Sequence, residues 1–328
     1  MPRTKEGDKL IEVRDLTKKY GNVEAVRGLS FTVEPGQILG FLGPNGAGKS
    51  TTMNMITGYI PATEGSVVID GHDMAKEPEK AKKCIGYLPE QPPLYKDMRV
   101  REYIDFVAEL KGVKKKDRAN AVFDAMEKTG ITQVSEKLIR HLSKGYKQRV
   151  GIAQAIVSNP DIIILDEPTV GLDPMQIIEI RELIRELGKE HTVILSSHIL
   201  SEISAVCDTV MIINNGKLVV TDTTENLSKH LNARQGIKLT IKGDKDKALE
   251  VLSRTEGVEE AEIVSENEDT TVINVYTAEN ADIRENVYFE LAGEHLAVLE
   301  QQTLSMDLEE IFLEFIKESE EKDNACDL

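Results

Sequence analysis

The run Gly43-Pro44-Asn45-Gly46-Ala47-Gly48-Lys49-Ser50 sets three glycines, a lysine and a hydroxyl at a spacing suited to holding phosphate groups. Glycines let successive backbone N–H groups turn inward as an anion cradle, and a helix starting behind them adds partial positive charge. Lys49 can then reach the outer phosphates, and the Ser50 hydroxyl can serve a hard divalent cation such as Mg2+. An ordinary glycine turn has no need of a lysine and a hydroxyl at these offsets.

A second candidate is Asp161–Glu167, DIIILDE, an apolar run ending in two carboxylates. Alone, such an ending serves solubility as well as chemistry. Beside a phosphate cradle it divides into two roles: Asp166 holds the cation, directly or through water, and Glu167 orients or deprotonates an attacking water. A third is LSKGYKQRV, where Ser143, the Gly145 backbone N–H and the start of a helix form a possible phosphate grip. Lys144 and Tyr146 occupy the positions whose side chains matter least for that grip, and Lys144 is expected to add positive charge near the anion.

These residues need a scaffold. QILGFLG is apolar on both faces, as a buried central strand should be, and it runs directly into the cradle and a helical stretch. Short alternating runs between residues 10 and 42 read as strands, and VREYIDFVAELKG and DRANAVFDAMEKTG read as helices closed by glycine. QRVGIAQAIVSNP, DIIILDEP, PMQIIEIRELIRELGKE and HTVILSSH then alternate helix and strand, the pattern of a parallel sheet covered by helices. From about Gln235 the order becomes βαββαβ, which suggests a small ferredoxin-like α+β unit. A final amphipathic stretch places Leu308, Ile311, Phe312, Phe315 and Ile316 on one helical face, more in keeping with docking onto its own domain than with a partner site. The expected division is therefore 1–230, with a helical insertion at about 92–158, then 231–318, with a disordered tail at 319–328.

The 328-residue chain has a net charge of −17, unevenly spread. Residues 231–328 hold 9 basic and 25 acidic groups, against 31 and 32 in residues 1–230. Such an acidic end argues against a nucleic-acid partner, since phosphate contacts need lysine and arginine. Cys84, Cys207 and Cys326 stand far apart, with neither disulfide nor zinc spacing, as suits a reducing compartment. No apolar run approaches the ~18 residues of a membrane span. The basic run Lys111–Arg118 reads as a solvated loop, with contact to anionic lipid as the sharper alternative.

Taken in order, GPNGAGKST, LSKGYKQRV, IIILDEP, GLDP and LSSH resemble the nucleotide-binding domain of ATP-binding cassette (ABC) proteins across about residues 10–225. The resemblance implies a P-loop NTPase fold of the ABC ATPase type, with a parallel core sheet, an antiparallel β subdomain and a helical subdomain. It implies ATP as ligand with Mg2+, the latter at Ser50, Asp166 and Glu90. By position, Tyr20 would stack on adenine, His198 would meet the terminal phosphate, and Asp173 would bridge two halves of a dimer. One position departs from the pattern: Glu90 follows GYLP where the family has glutamine, and Gln91 comes one place later. Glu90 is the expected occupant of that role, a shifted Gln91 the alternative.

The same resemblance implies a head-to-tail dimer in which the loop Ser143–Tyr146 completes the partner's ATP site. It also implies separate integral membrane permease subunits and a place at the inner face of the cell membrane, held there through the permease. The C-terminal unit, the LEEIF stretch and the GYLPE variant together look like the ABC-2 type exporter group. The competing reading is a soluble ABC ATPase that does not transport.

Overall fold

The computed structural model describes residues 10–226, 236–267, 269–277 and 282–304. The chain falls into two compact units divided between Thr224 and Glu225. The expected boundary after residue 230, the LEEIF stretch and the tail 319–328 lie outside the described residues.

In the first unit, strands β1 (Ile11–Tyr20) and β2 (Val23–Val33) pair antiparallel. With β4 (Glu64–Ile69) and β5 (His72–Asp73) they form a sheet of order β2-β1-β4-β5. The second sheet runs β10-β9-β3-β8-β7-β6, from β3 (Ile38–Leu42), β6 (Ile85–Leu88), β7 (Ile162–Asp166), β8 (Thr192–Ser197), β9 (Thr209–Asn214) and β10 (Lys217–Thr223). Its contacts are parallel except for β9 with β10. Every residue of β3, β7 and β8 is buried, which is why their sequences are apolar runs rather than alternating ones. Two of these strands deliver chemistry at their C-terminal ends, and the third leads into the phosphate cradle.

Helix α1 (Lys49–Ile56) follows β3 directly, and α2 (Pro78–Lys83) precedes β6. The helical insertion holds α3 (Val100–Leu110), α4 (Lys115–Lys128) and α5 (Lys144–Ile156). On α3, Val100, Tyr103, Ile104, Val107 and Ala108 are buried, the spacing of a single apolar face. Lys111, the first residue of the basic run, turns inward and donates from Nζ to the Ile85 carbonyl at 3.0 Å. Burial, with Lys82 nearby, depresses its pKa. Arg118, at the other end of the run, pairs with Glu109 at 2.8 Å. The run is thus not one free basic patch.

Helices α6 (Pro174–Gly188) and α7 (Leu200–Ser204) cover the sheet after β7 and β8. Asp173 caps α6, accepting from the Gln176 backbone N–H at 2.9 Å, and Pro174 takes the first helical position, where its missing N–H costs nothing.

The second unit contains β11 (Gly236–Lys242), α8 (Lys245–Arg254), β12 (Val258–Glu266), β13 (Thr270–Thr277), α9 (Arg284–Gly293) and β14 (Ala297–Leu304). Its antiparallel sheet has the order β12-β13-β11-β14, the ferredoxin-like arrangement that the βαββαβ succession implies. Alternate residues of β13 are buried, and Leu239, Ile241, Ile273 and Val275 pack with Val251, Leu252, Val287 and Leu291 as a core of their own.

Candidate functional site

The cradle is built by backbone geometry. Gly46 and Gly48 have φ of +84° and +101°, values a side chain makes costly. A Cβ on Gly48 would stand 2.6 Å from the Ala25 carbonyl oxygen, and one on Gly43 would stand 2.4 Å from that of Ile213. The glycines therefore serve both curvature and close approach.

Lys49 is 6% exposed, and its Nζ donates to the Gly43 carbonyl at 2.7 Å and the Pro44 carbonyl at 3.3 Å. It also lies 3.5 Å from Glu167 Oε1. The Ser50 hydroxyl donates to Asp166 Oδ1 at 3.2 Å, which joins the cradle to the end of β7. Glu167, also buried, has φ of +48°, a left-handed conformation that is strained for a residue with a side chain. Its Oε2 lies 3.0 Å from Nδ1 of His198, just beyond β8.

A cavity of about 330 Å3 opens on this cluster. Asn45, Gly46, Ala47, Gly48, Lys49, Ser50 and Thr51 form its floor, and Glu90, Glu167 and His198 stand around it. Gly43 and Pro44 are reached through Lys49 rather than lining the cavity. Gln91 does not line it either; it opens with Glu90 onto an adjoining cavity. Tyr20 sits at the end of β1, half exposed, with Lys18 Nζ 5.3 Å from its ring centre, and is not part of the wall.

The loop before α5 lies elsewhere. Ser143, Gly145, Tyr146 and Asp173 share a groove of about 560 Å3 that includes none of the cradle residues. Ser143 caps α5 by accepting from the Tyr146 N–H at 3.4 Å. Tyr146 Oη accepts from Gln133 Nε2 at 3.1 Å. Gly145 packs against Gln176: a Cβ would come 2.5 Å from Gln176 Oε1, the far end of a flexible side chain that could swing aside. Lys144 does not join this groove. It turns to the other side and lines the cavity of Glu90 and Gln91. Its ammonium occupies the space beside Gly171 that a side chain there would fill.

Two further groups carry the site without having stood out in the sequence. Ser196 Oγ donates to Asp166 Oδ1 at 2.5 Å and accepts from the Glu167 N–H at 3.0 Å, so one hydroxyl holds both carboxylate residues. Glu202, buried, accepts from Thr169 at 2.5 Å and Ser197 at 3.0 Å, fastening the segment after Glu167 to the one before His198. The available signal was a pair of serines ending the otherwise apolar strand TVILSS. Nearby, burial chiefly and then the Asp166 charge push the Tyr87 phenol far above its ordinary pKa, so it stays a neutral donor to Asn54 Oδ1 at 3.1 Å.

The arrangement offers inward-facing amides and an ammonium for a polyphosphate, a hydroxyl–carboxylate pair for a divalent cation, and a second carboxylate held beside an imidazole. The pattern of the ABC transporter family matches residues 26–170. The chain is 31% identical over 305 residues to the linearmycin resistance ATP-binding protein LnrL of Bacillus subtilis, covering 93% of this chain and 97% of that protein. It is 38% identical over 270 residues to the bacitracin transport ATP-binding protein BcrA of Bacillus licheniformis, covering 82% and 85%. Among solved structures, cbiO1 of Clostridium perfringens, part of the ABC transporter complex cbiONQ, superposes with a TM-score of 0.62 at 27% identity, covering 75% of this chain and 96% of that one.

Proposed function

The chain belongs to the ATP-binding proteins of ABC transporters and is an ATPase of that family, and we propose that Glu167 is the base of its hydrolytic step and that its product is export work done through a separate membrane permease. The observation that carries this reading is the convergence of Lys49, Ser50, Asp166, Glu167 and His198 on one cavity.

ATP lies with its phosphates along Asn45–Thr51, where the backbone N–H groups and Lys49 take up the negative charge. Ser50 and Asp166 are the donors that suit Mg2+, with Glu90 on the rim as a further carboxylate, so Glu90 rather than Gln91 fills the loop position. The ion would offset charge on the outer phosphates. Glu167 accepts the proton of the water that attacks the terminal phosphorus, and the ADP oxygen leaves on the far side. His198 holds the Glu167 carboxylate in register and, through its other ring nitrogen, meets the terminal phosphate. Tyr20 offers its exposed ring to adenine.

The separation of the Ser143–Asp173 groove from the cradle supports a head-to-tail dimer, because a loop that grips phosphate but does not reach its own cradle serves a partner's. ATP then holds two copies together, and hydrolysis releases them. No helix among the described residues is long and apolar enough to cross a membrane. The work therefore passes to permease subunits at the inner face of the membrane, and the resistance and transport roles in the names of LnrL and BcrA favour export. The unit from Glu225 to Glu318 is an accessory domain.

The test is Glu167→Gln. Hydrolysis falls by about 10²–10⁴, the usual cost of removing a general base, while gel filtration with ATP shows a trapped dimer. Wild-type turnover in this variant removes the assignment. Co-expression with a multi-span permease should carry the protein into the membrane fraction; equal pelleting without one refutes the permease requirement.

A further inference from the structure

Next to the ATP cavity lies a second one of about 420 Å3, and the two share Glu90 and Val170 in their walls. Its other polar lining is mostly cationic. Lys96, Lys144 and Lys147 all contribute, against the single carboxylate of Glu90. None of the three ammonium groups has an ion-pair partner among the described residues. Gln148, on α5 and only 5% exposed, also lines the cavity, and its Nε2 has no hydrogen-bond acceptor.

A buried amide N–H without an acceptor costs about 1–3 kcal/mol, and three lysines line the same cavity against one carboxylate. Both features suit the same guest: a small multivalent oxyanion that accepts hydrogen bonds on several faces. Lys144 is already held toward this side, in the space beside Gly171. The ATPase reaction produces such an anion next door. We propose that this cavity is a binding site for inorganic phosphate, taking up the second product of hydrolysis beside the site where it forms. The inference rests on the ATPase reading, and Gln148, Lys96 and Lys147 are its new functional residues.

The experiment measures retention of radiolabelled inorganic phosphate by the full chain, with the cradle saturated by a non-hydrolysable ATP analogue so that Lys49 cannot report. Steady-state inhibition of ATPase by phosphate is followed in parallel. Phosphate should still bind. Its affinity should fall about tenfold in the Lys96→Ala/Lys147→Ala double variant and about fivefold in Gln148→Leu, as expected for losing charge-assisted and neutral donors respectively. Inhibition should be noncompetitive with ATP. Lys96→Ala alone is a surface change and keeps the test open where Gln148→Leu fails to fold. Loss of phosphate binding once the analogue is present, competitive inhibition, or unchanged affinity in both variants overturns the proposal. Phosphatidylglycerol vesicles form the other arm: vesicle binding lost in these variants, with free phosphate not retained, assigns the lysines to lipid headgroups instead. A wild-type protein that binds phosphate but does not hydrolyse ATP would refute the ATPase reading and leave this site standing.

Discussion

Replacing Ser196 by alanine cuts the Asp166 carboxylate loose from the Glu167 backbone, two groups that one hydroxyl now holds together. In the native site Ser196 Oγ donates to Asp166 Oδ1 at 2.5 Å and accepts the Glu167 N–H at 3.0 Å, in a fully buried setting. Alanine removes a hydrogen bond to a charged group, worth about 1.5–3 kcal/mol, and leaves the Glu167 N–H without a partner, at about 1–3 kcal/mol. The Glu167 backbone, at φ of +48°, stores a further ~1–3 kcal/mol of strain that its surroundings must hold in place. Part of this loss appears as stability, and part as a Glu167 carboxylate free to leave its place beside His198. If about 1.4–2.8 kcal/mol falls on the transition state, kcat drops ~10–100-fold. ATP binding depends on the cradle and Lys49, so KM should move less than about threefold. Phosphate-release kinetics and urea unfolding measure the two parts. Ser196→Thr keeps the hydroxyl and should recover most of kcat. An alanine variant that turns over within twofold of wild type, or a threonine variant as slow as alanine, refutes the positioning argument.

Gly48→Ala tests the cradle itself: at φ of +101° with the Ala25 carbonyl 2.6 Å from the new Cβ, it should abolish ATP binding by equilibrium dialysis and lower stability by at least ~1–3 kcal/mol. Gly46→Ala, at φ of +84° with nothing within 4 Å, meets the strain but not the clash and should be the milder of the two. At alkaline pH the helical insertion should weaken through Tyr103, whose phenol burial pushes up to about 12. Because the folded value exceeds the unfolded one, the neutral phenol favours the fold fully below pH ~10, and that contribution is lost as pH rises toward ~12. Absorbance at about 295 nm, the tyrosinate band, should show Tyr87 and Tyr103 ionising late and together with unfolding, and Tyr103→Phe should remove one of these two late ionisations.

The phosphate cradle was legible because its chemistry is local. Gly43 to Thr51 form one backbone feature, and a contiguous string suffices to specify it. Asp166 and Glu167 were legible as a pair because a buried strand has to end somewhere, and carboxylates at that end need a reason. Ser196 was not, since a serine in an apolar run is equally consistent with a hydroxyl bonding its own strand, and only the β7–β8 register, Asp166 opposite Ser196, aims it at its neighbours. The side of α5 to which Lys144 turns was likewise hidden: sequence places it between Ser143 and Gly145, and only the fold brings Gly171, which has no side chain, beside its ammonium. For Lys144 the cause lies in helix geometry. Along a chain, adjacency suggests common duty, whereas on a helix start successive side chains leave in different directions. Thus Ser143 and Gly145, the residues assigned to the phosphate grip, face one groove shared with Asp173, while the side chain of Lys144 between them faces the cavity of Gln148. That arrangement joins the two surfaces through one element: Ser143 caps α5, and Lys144, Lys147 and Gln148 lie on its first turns, so a displacement of α5 would carry the lining of both together.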